Sequence, residues 1–122
     1  MDIEQLREAC ISLPHVEETF PFDEVTLVFK VGGKMFALTP LDTPEHSVSL
    51  KCDPDYALEL RDRYESVRSA FHMNKKHWNN IILNGDVPDK LLLELIRHSY
   101  DRVVEGLTRK EKEKIKSKSP EV

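Results

Sequence analysis

The sequence predicts a single α+β domain with a mostly antiparallel sheet. The chain has 122 residues, of which 39% are hydrophobic and 33% charged, and this suits one globular domain with one core. Its plainest pattern is a β-hairpin in the first third of the chain. Apolar residues recur at helical spacing near both ends, so helices should accompany the strands. The expected element order is α-β-β-β-β-α-β-β-α.

A first helix is predicted at residues 1–14. Asp2 is suited to begin it, because a carboxylate accepts hydrogen bonds from the free N–H groups of a first helical turn. Pro14 ends it, since proline cannot continue the helical hydrogen bonds. The apolar residues at helical spacing are Ile3, Leu6, Ala9, Cys10 and Leu13.

Residues 24–40 predict a β-hairpin that turns on Gly32 and Gly33, because two glycines supply the positive φ angles of a tight turn. A two-residue loop pairs Val31 with Lys34, Phe29 with Phe36, and Leu27 with Leu38. The expected buried face therefore carries Leu27, Phe29, Phe36 and Leu38. The opposite face is half apolar and carries Thr26, Val28, Lys30, Met35, Ala37 and Thr39.

The remaining elements are predicted in chain order as a strand at 47–51, a helix at 53–64, strands at 66–73 and 77–83, and a helix at 88–105. Asp53 should cap the middle helix, and Gly106 should end the last one. The domain should span residues 1–107. We expect residues 108–122 to form a charged, disordered tail, because they offer almost no apolar surface.

The charge pattern restricts the class of partner. The net charge is −4, and residues 1–24 alone hold seven acidic side chains and one basic one. A dedicated nucleic-acid binder is usually basic, so any such activity must come from a local patch. No apolar run is long enough for a transmembrane helix, and the N-terminus lacks the pattern of a signal peptide. We therefore expect a cytoplasmic monomer without a membrane partner.

No enzyme motif stands out. The glycines at 32 and 33 precede a lysine but lack the frame of a phosphate-binding loop. His72 and His77 are five residues apart, without further metal ligands in order. Cys10 and Cys52 fit no metal spacing and are interpreted as buried thiols. We expect no catalysis, no metal and no cofactor.

The two predicted hairpin tips are the candidate contact surface, since paired basic tips can straddle the phosphate backbone of double-stranded DNA. An alternative reading is that the lysines are ordinary turn residues and that Trp78 packs in the core, the commoner role of a lone aromatic on a strand. The candidate DNA-binding residues are Lys30, Lys34, Asn74, Lys75, Lys76, His77 and Trp78.

Five stretches resemble the MmcQ/YjbR family of small bacterial proteins. The resemblance runs from about Met1 to Leu107 and rests on LPHVEETFPF, FKVGGKMFAL, VSLKCDPDYALELRDRY, FHMNKKHWNNIILNG and LIRHSYDRVV. It implies a fold like that of secretion chaperones, with a double-wing arrangement for which DNA binding has been proposed. The two wings would be the hairpin around Gly32 and Gly33 and the hairpin at 74–77.

Two functions therefore stay open. The first is DNA binding by two basic wings through phosphate contacts. The second is a non-catalytic adaptor that docks a protein or small ligand on the half-apolar hairpin face, at Val28, Met35 and Ala37. Salt separates the two, because phosphate contacts weaken steeply as salt rises and apolar docking hardly changes.

Overall fold

The computed structural model describes residues 1–70 and 73–117, and of residues 116 and 117 it describes the backbone alone. The elements in chain order are α1 (Ile3–Ile11), β1 (Glu17–Thr19), β2 (Thr26–Val31), β3 (Lys34–Pro40), β4 (Ser47–Lys51), α2 (Pro54–Arg63), β5 (Val67–Ser69), β6 (Trp78–Ile82), α3 (Asp89–Glu105) and α4 (Arg109–Ser117). The strands form one sheet in the order β1-β2-β3-β4-β6-β5, with every neighbouring pair antiparallel. The predicted α+β class is confirmed.

The observed element order matches the prediction up to α3. The expected order contained one strand before the second helix to which no residues were assigned. That strand is β1, three residues that pair with residues 28–30 of β2. The structure differs from the expected disordered tail over Arg109–Ser117, which form α4. The physical reason is tertiary, because Leu107 is buried and Ile115 packs against the core. Residues 118–122 lie outside the described residues.

All four helices contribute to one core cluster and therefore lie on one side of the sheet. The longest, α3, spans 17 residues and packs across β2, β3 and β4. Its buried stripe confirms the predicted one: Leu92, Leu95, Ile96, Ser99 and Val103. The strands contribute Phe29, Val48, Leu50 and Ile81 to the same cluster. Within the described residues, the opposite sheet face carries no helix.

The helix starts were predicted correctly from their capping residues. Asp2 and Gln5 form a reciprocal pair, in which the Gln5 backbone N–H donates to Asp2 Oδ1 at 2.8 Å and the Asp2 N–H donates to Gln5 Oε1 at 3.0 Å. Asp53 caps α2 by accepting from the Tyr56 backbone N–H at 3.2 Å. Gly106 ends α3 as expected. Each cap depends on residues only a few positions apart, which is why it could be predicted from the sequence.

A β-bulge in β3 changes the predicted hairpin register. At the tip, Val31 pairs with Lys34 as expected. Phe29, however, pairs with Ala37 instead of Phe36, so the predicted pairing of the two phenylalanines is wrong. Phe36 is the extra residue on β3, and an extra residue reverses the alternation of side chains beyond it.

The bulge moves three residues to the face opposite the predicted one: Ala37 and Thr39 to the helix side of the sheet, and Leu38 away from it. Phe36 and Ala37 both belong to the core cluster, although Ala37 was predicted on the opposite face. Leu38 was predicted in the core, but it pairs with Val28 on the opposite face and is only half-buried. The predicted pairing of Leu27 with Leu38 is likewise wrong, since Leu27 pairs with Thr39.

No helix within residues 1–70 and 73–117 combines the length and the apolar character needed to cross a membrane.

Candidate binding site on the open sheet face

The sheet face without helices, called here the open face, collects side chains from all six strands. Because side chains alternate along a strand, its members follow from the register and from the residues that the helix-side core takes. They are Glu17 and Thr19 of β1, Thr26, Val28 and Lys30 of β2, Met35, Leu38 and Pro40 of β3, Ser47, Ser49 and Lys51 of β4, Trp78, Asn80 and Ile82 of β6, and Arg68 of β5.

One row of this face runs straight across the sheet. Val28 pairs with Leu38, Leu38 with Ser49, Ser49 with Asn80, and Asn80 with Arg68. The row therefore changes from apolar side chains through neutral polar ones to a cation. From Leu38 to Arg68 it crosses three strand spacings, a span of about 14 Å.

A cleft of about 730 Å³ lies over this row. Its apolar lining includes Phe22, Met35, Leu38 and Pro40, and its polar lining includes Ser49, Asn80 and Arg68. A volume of several hundred cubic ångströms with mainly apolar walls and a few polar groups is typical of small-molecule sites. The open face therefore holds a cleft of the size that a small ligand needs.

The polar floor of the cleft presents hydrogen-bond donors. The side-chain amide of Asn80 donates to Ser47 Oγ at 3.1 Å and to Ser49 Oγ at 3.2 Å. Within residues 1–70 and 73–117, the structure gives the Ser49 hydroxyl proton no acceptor. That proton remains available to an oxygen acceptor on a ligand.

An anchored loop places the exposed aromatic ring of Phe22 at the cleft. Phe22 is 64% exposed and Phe20 is 47% exposed, which is unusual for aromatic side chains. Asp23 fixes the loop, since its Oδ1 accepts from the backbone N–H groups of Val25 at 3.0 Å and Thr26 at 2.7 Å. These hydrogen bonds lower the pKa of Asp23, the Val25 N–H most of all. The Phe22 ring therefore lies beside the cleft on a hydrogen-bonded loop.

Arg68 lines the cleft and forms a long, exposed ion pair with Glu45. Its guanidinium lies 3.7 Å from a carboxylate oxygen of Glu45, and the two side chains are 59% and 65% exposed. An exposed ion pair of this kind contributes little free energy. A ligand carboxylate can therefore replace Glu45 at low cost.

The C-terminal segment passes close to the first predicted wing tip, although Gly32, Gly33 and Lys34 stay exposed. Lys30 lies on the open face, whereas Lys34 shares the side of Val31 and approaches Glu111 of α4 closely enough to contribute to the lowered pKa of that carboxylate. The Thr108 N–H is the larger cause of this lowering. A Cβ added at Gly32 would lie 2.6 Å from Leu107 Cδ1, which shows how closely the chain passes over the turn.

The second predicted tip is a well-ordered turn. The Asn74 carbonyl accepts from the N–H groups of His77 at 3.1 Å and Trp78 at 3.0 Å, and Asn74 Oδ1 accepts from the Lys76 N–H at 3.0 Å. The Arg61 guanidinium donates to the carbonyl of Lys75. The Lys75 and Lys76 side chains are exposed. Both lysines therefore project into solvent from a hydrogen-bonded turn.

The two tips lie at the same end of the sheet, because β2 and β5 run in the same direction. The structure brings together Lys75, Lys76 and Asn74, and it directs Lys30 and Lys34 to different faces. Trp78 is only 9% exposed, so its ring offers little surface for stacking on a base. His77 is half-buried.

A polar cluster that sequence reasoning missed joins α3 to the start of α2. The Asp53 N–H donates to His98 Nε2 at 3.1 Å, and the Tyr56 ring meets the His98 ring edge-on at 5.6 Å between centroids. Burial, and then the charge of Arg102, lower the pKa of His98. Arg102 also lies 3.8 Å from Asp53. The signal that could have found it is the i, i+4 spacing of His98 and Arg102 on one helix.

This cluster is suited to holding elements together and unsuited to nucleophilic chemistry. Burial raises the pKa of the neighbouring Cys52 thiol to about 11 and that of Cys10 to about 12, so both thiols are protonated at neutral pH. The described residues contain no group of three or more His, Cys, Asp or Glu side chains that could hold a metal ion.

Comparison with known proteins shows the family. The YjbR family model matches residues 11–102. The uncharacterised protein YbdF of Escherichia coli O157:H7 is 34% identical over 120 residues, which cover 95% of this chain and 98% of YbdF. The uncharacterised protein YjbR of Escherichia coli K12 is 33% identical over 115 residues, covering 94% and 97%. The chain belongs to the YjbR family, and the resemblance seen in the sequence is confirmed.

Two solved structures share the fold. A Deinococcus radiodurans protein, DR2400, superposes with a TM-score of 0.87 at 44% sequence identity, over 93% of this chain and 86% of DR2400. A protein from Pseudomonas syringae superposes with a TM-score of 0.69 at 25% identity, over 81% of this chain and 96% of its own.

Proposed function

We propose that this protein is a non-catalytic binding protein that holds a small ligand in the cleft of the open face. The observation that carries this proposal is the cleft of about 730 Å³ on a sheet face without helices in the described residues. Its volume lies within the range of roughly 300–1,000 Å³ that is usual for small-molecule sites. The exposed ring of Phe22 beside it is a further mark of an interaction surface.

The site overlaps the half-apolar hairpin face that the sequence pointed to. Met35 lines the cleft, Val28 lies on the same face but is fully buried, and the bulge exchanges Ala37 for the larger Leu38. This exchange supports the proposal, because Leu38 adds apolar wall to the cleft. The absence of catalysis is supported by the raised pKa values of both thiols and by His98 Nε2, which already accepts a backbone hydrogen bond.

A neutral fluorescent probe tests this function. Nile red should bind the wild-type protein with increased emission, because the cleft takes it out of water. The Leu38→Gln variant should bind it about tenfold more weakly, since it places an amide against the apolar wall. Leu93→Gln is the matched control, because Leu93 is a 47% exposed leucine on α3, away from the open face.

The outcome that contradicts the proposal is equally clear. If wild-type protein leaves the emission of Nile red unchanged, or if Leu38→Gln and Leu93→Gln bind it equally, the cleft is not a binding site. Melting curves of both variants show whether each is folded at the temperature of the titration.

We propose DNA binding as the second candidate function, supported by the exposure of Lys75 and Lys76 in an ordered turn. In this proposal the turn at 74–77 and the hairpin tip at Gly32 and Gly33 act as two wings at one end of the sheet. The whole chain has a net charge of −4, so attraction to DNA has to come from a local group of cations. The second wing supplies such a group, because it presents two adjacent exposed lysines that can contact phosphates.

A salt titration with duplex DNA tests the second candidate. Replacing Lys75 and Lys76 by Ala together should weaken binding and reduce the salt slope by up to about 0.9 per lost phosphate contact. Lys90→Ala with Lys110→Ala is the control of equal charge change, because both lysines are exposed and lie outside the wings. Wild-type protein that fails to bind duplex DNA at low salt would rule this function out.

We also propose a cytoplasmic location and a monomeric state. The location is supported by Cys10 and Cys52, which are buried free thiols as a reducing compartment keeps them. The monomeric state is supported by the short strands at both sheet edges, β1 and β5, which offer little template for a second copy. Sedimentation of the purified chain measures the mass directly, and a dimer mass would overturn the second statement.

A further inference from the structure

We infer that the ligand of the open-face cleft is a small amphipathic carboxylate. Its carboxylate binds the guanidinium of Arg68, and its apolar body packs against Leu38 and Met35 with Phe22 beside it. This inference rests on the proposed small-ligand function and names the chemical class of the ligand.

The order of side chains in the cross-strand row carries the inference. Leu38 is apolar, Ser49 and Asn80 are polar and neutral, and Arg68 is cationic, in that order across the sheet, and all four line the cleft, whereas the neighbouring Val28 is fully buried. A molecule that matches this row is apolar at one end and anionic at the other. The span of about 14 Å between Leu38 and Arg68 suits an acyl chain of medium length.

The polar groups near Arg68 favour an oxygen anion. The Ser49 hydroxyl proton has no acceptor among the described residues, since the hydroxyl oxygen itself accepts from Asn80. A carboxylate can accept two hydrogen bonds from a guanidinium, while the Ser49 hydroxyl is free to donate to a further oxygen nearer the apolar end of the ligand. An alcohol or an amine satisfies this arrangement less well, because neither brings a negative charge.

The charges of the open face are consistent with an anionic ligand although the whole chain is acidic. Lys30, Lys51 and Arg68 lie on this face. Glu17 lies opposite Lys30, and the Asp23 carboxylate is occupied by its own loop. Arg68 has only the exposed contact with Glu45 at 3.7 Å, which a ligand carboxylate can replace.

The shape of the site favours a small molecule over a polypeptide. Extended peptides commonly add to a free sheet edge, where backbone groups are available for hydrogen bonds. The cleft instead lies over the face of β3, β4 and β6, whose backbone groups are already paired with neighbouring strands. Side chains alone therefore recognise the ligand.

Three probes with the same chain length test the inference. Decanoate, 1-decanol and decylamine, each below its micelle concentration at pH 7.5, are titrated into wild-type protein as competitors of bound Nile red. Decanoate should bind about tenfold more tightly than decanol, because a hydrogen-bonded charge contact adds affinity. Decylamine should bind most weakly, because its cation faces Arg68.

The Arg68→Met variant assigns the preference to a residue. Methionine keeps an apolar stem of similar length and removes the charge, so decanoate affinity should fall to that of decanol while decanol affinity stays unchanged. Arg63→Met is the matched control, because Arg63 is an exposed arginine on α2, on the helix side of the sheet. It should retain the full preference for decanoate.

The possible failures are distinguishable. Equal binding of decanoate and decanol to wild-type protein, with Nile red still bound, would overturn the carboxylate class and leave the cleft as a binding site. A preference for decanoate that survives in Arg68→Met would overturn the role of Arg68. Failure of Nile red and all three decyl probes to bind would overturn the proposed function itself.

Discussion

The hydroxyl of Ser99 donates a hydrogen bond of 2.5 Å to the backbone carbonyl of Phe36. Phe36 is the extra residue of the β3 bulge, so this carbonyl falls outside the regular strand ladder. The same Ser99 oxygen accepts from the Lys51 N–H at 2.8 Å. One buried side chain of α3 thus supplies partners to two strands at the point where their mutual pairing stops.

Replacing Ser99 by Ala should lower the free energy of unfolding by about 1–3 kcal/mol, because it leaves buried backbone groups without partners. Urea denaturation measures the change. Ser69→Ala is the control, since Ser69 is only half-buried and its hydroxyl has no hydrogen bond to a described residue. Equal effects of the two substitutions would show that the bridge is dispensable.

Phe36→Ala should be one of the most damaging single truncations. The ring is fully buried and meets the Tyr100 ring edge-on at 5.5 Å between centroids. Loss of a buried phenylalanine costs about 3–5 kcal/mol. Chemical denaturation provides the number, and Phe22→Ala, which removes a ring that is 64% exposed, should change it little. A Phe36→Ala protein as stable as wild type would contradict the packing of this ring in the core.

The turn glycines should differ in their tolerance of alanine. Both have positive φ angles, 59° at Gly32 and 78° at Gly33, so alanine strains either position by about 1–2 kcal/mol. Only at Gly32 would the new methyl also press on Leu107, whereas nothing lies within 4 Å at Gly33. Gly32→Ala should therefore lower the melting temperature more than Gly33→Ala.

A double-mutant cycle isolates the contact with Leu107. In the Leu107→Ala background the difference between Gly32→Ala and Gly33→Ala should shrink, because the crowded side chain is gone. A difference that persists unchanged would show that α4 and the segment before it leave the turn free in solution.

Protonation of His98 should weaken the fold in mild acid. Its pKa lies below the ordinary value of 6.5, first through burial and then through Arg102, although Asp53, Asp101 and Glu105 act in the opposite direction. The unfolded chain therefore takes up the proton at higher pH than the native one. This stabilising contribution is present above pH 6.5 and is lost as the pH falls through the lowered folded-state pKa. Melting temperatures recorded from pH 7.5 down to pH 5 should decline.

The variant His98→Gln identifies the source of this decline. A glutamine amide oxygen can still accept from the Asp53 N–H but does not titrate, so the melting temperature of the variant should depend less on pH over the same range. A wild-type and a variant profile of the same slope would exclude His98 as the cause.

Local signals made much of the fold predictable. The caps at Asp2 and Asp53, the glycine turn, and the buried stripe of α3 each depend on residues within a few positions of one another. The sequence of β1, by contrast, is short and charged and carries no strand pattern. It is a strand only because β2 presents an edge for it.

The errors in the sequence reading come from distant contacts. The alternating residues of β3 fit a regular strand as well as a bulged one, and the Ser99 hydroxyl that accommodates the bulge lies 63 positions away from Phe36. The charged segment after Gly106 forms α4 because Leu107 is buried and Ile115 packs against the core. That helix brings Glu111 to Lys34, a relationship that no local pattern could reveal.

The candidate cleft was predictable only in part. The half-apolar hairpin face follows from the sequence of β2 and β3, and Val28 and Met35 lie there as predicted. The polar and cationic part comes from Asn80 and Arg68, which reach the row because β6 and β5 extend the sheet beyond β4. The alternation of side chains within a strand does not predict the order in which distant strands pair in a sheet.

The hydroxyl of Tyr100 donates to the carbonyl of Pro14 at 2.6 Å, across 86 positions of the chain. Since α3 also supplies the centre of the core, the sheet cannot bury its inner face until that helix has left the ribosome. The domain can therefore acquire its native structure only after α3 has emerged. With so many partners far apart in sequence, refolding should take milliseconds to seconds, as is usual for sheets built from remote segments.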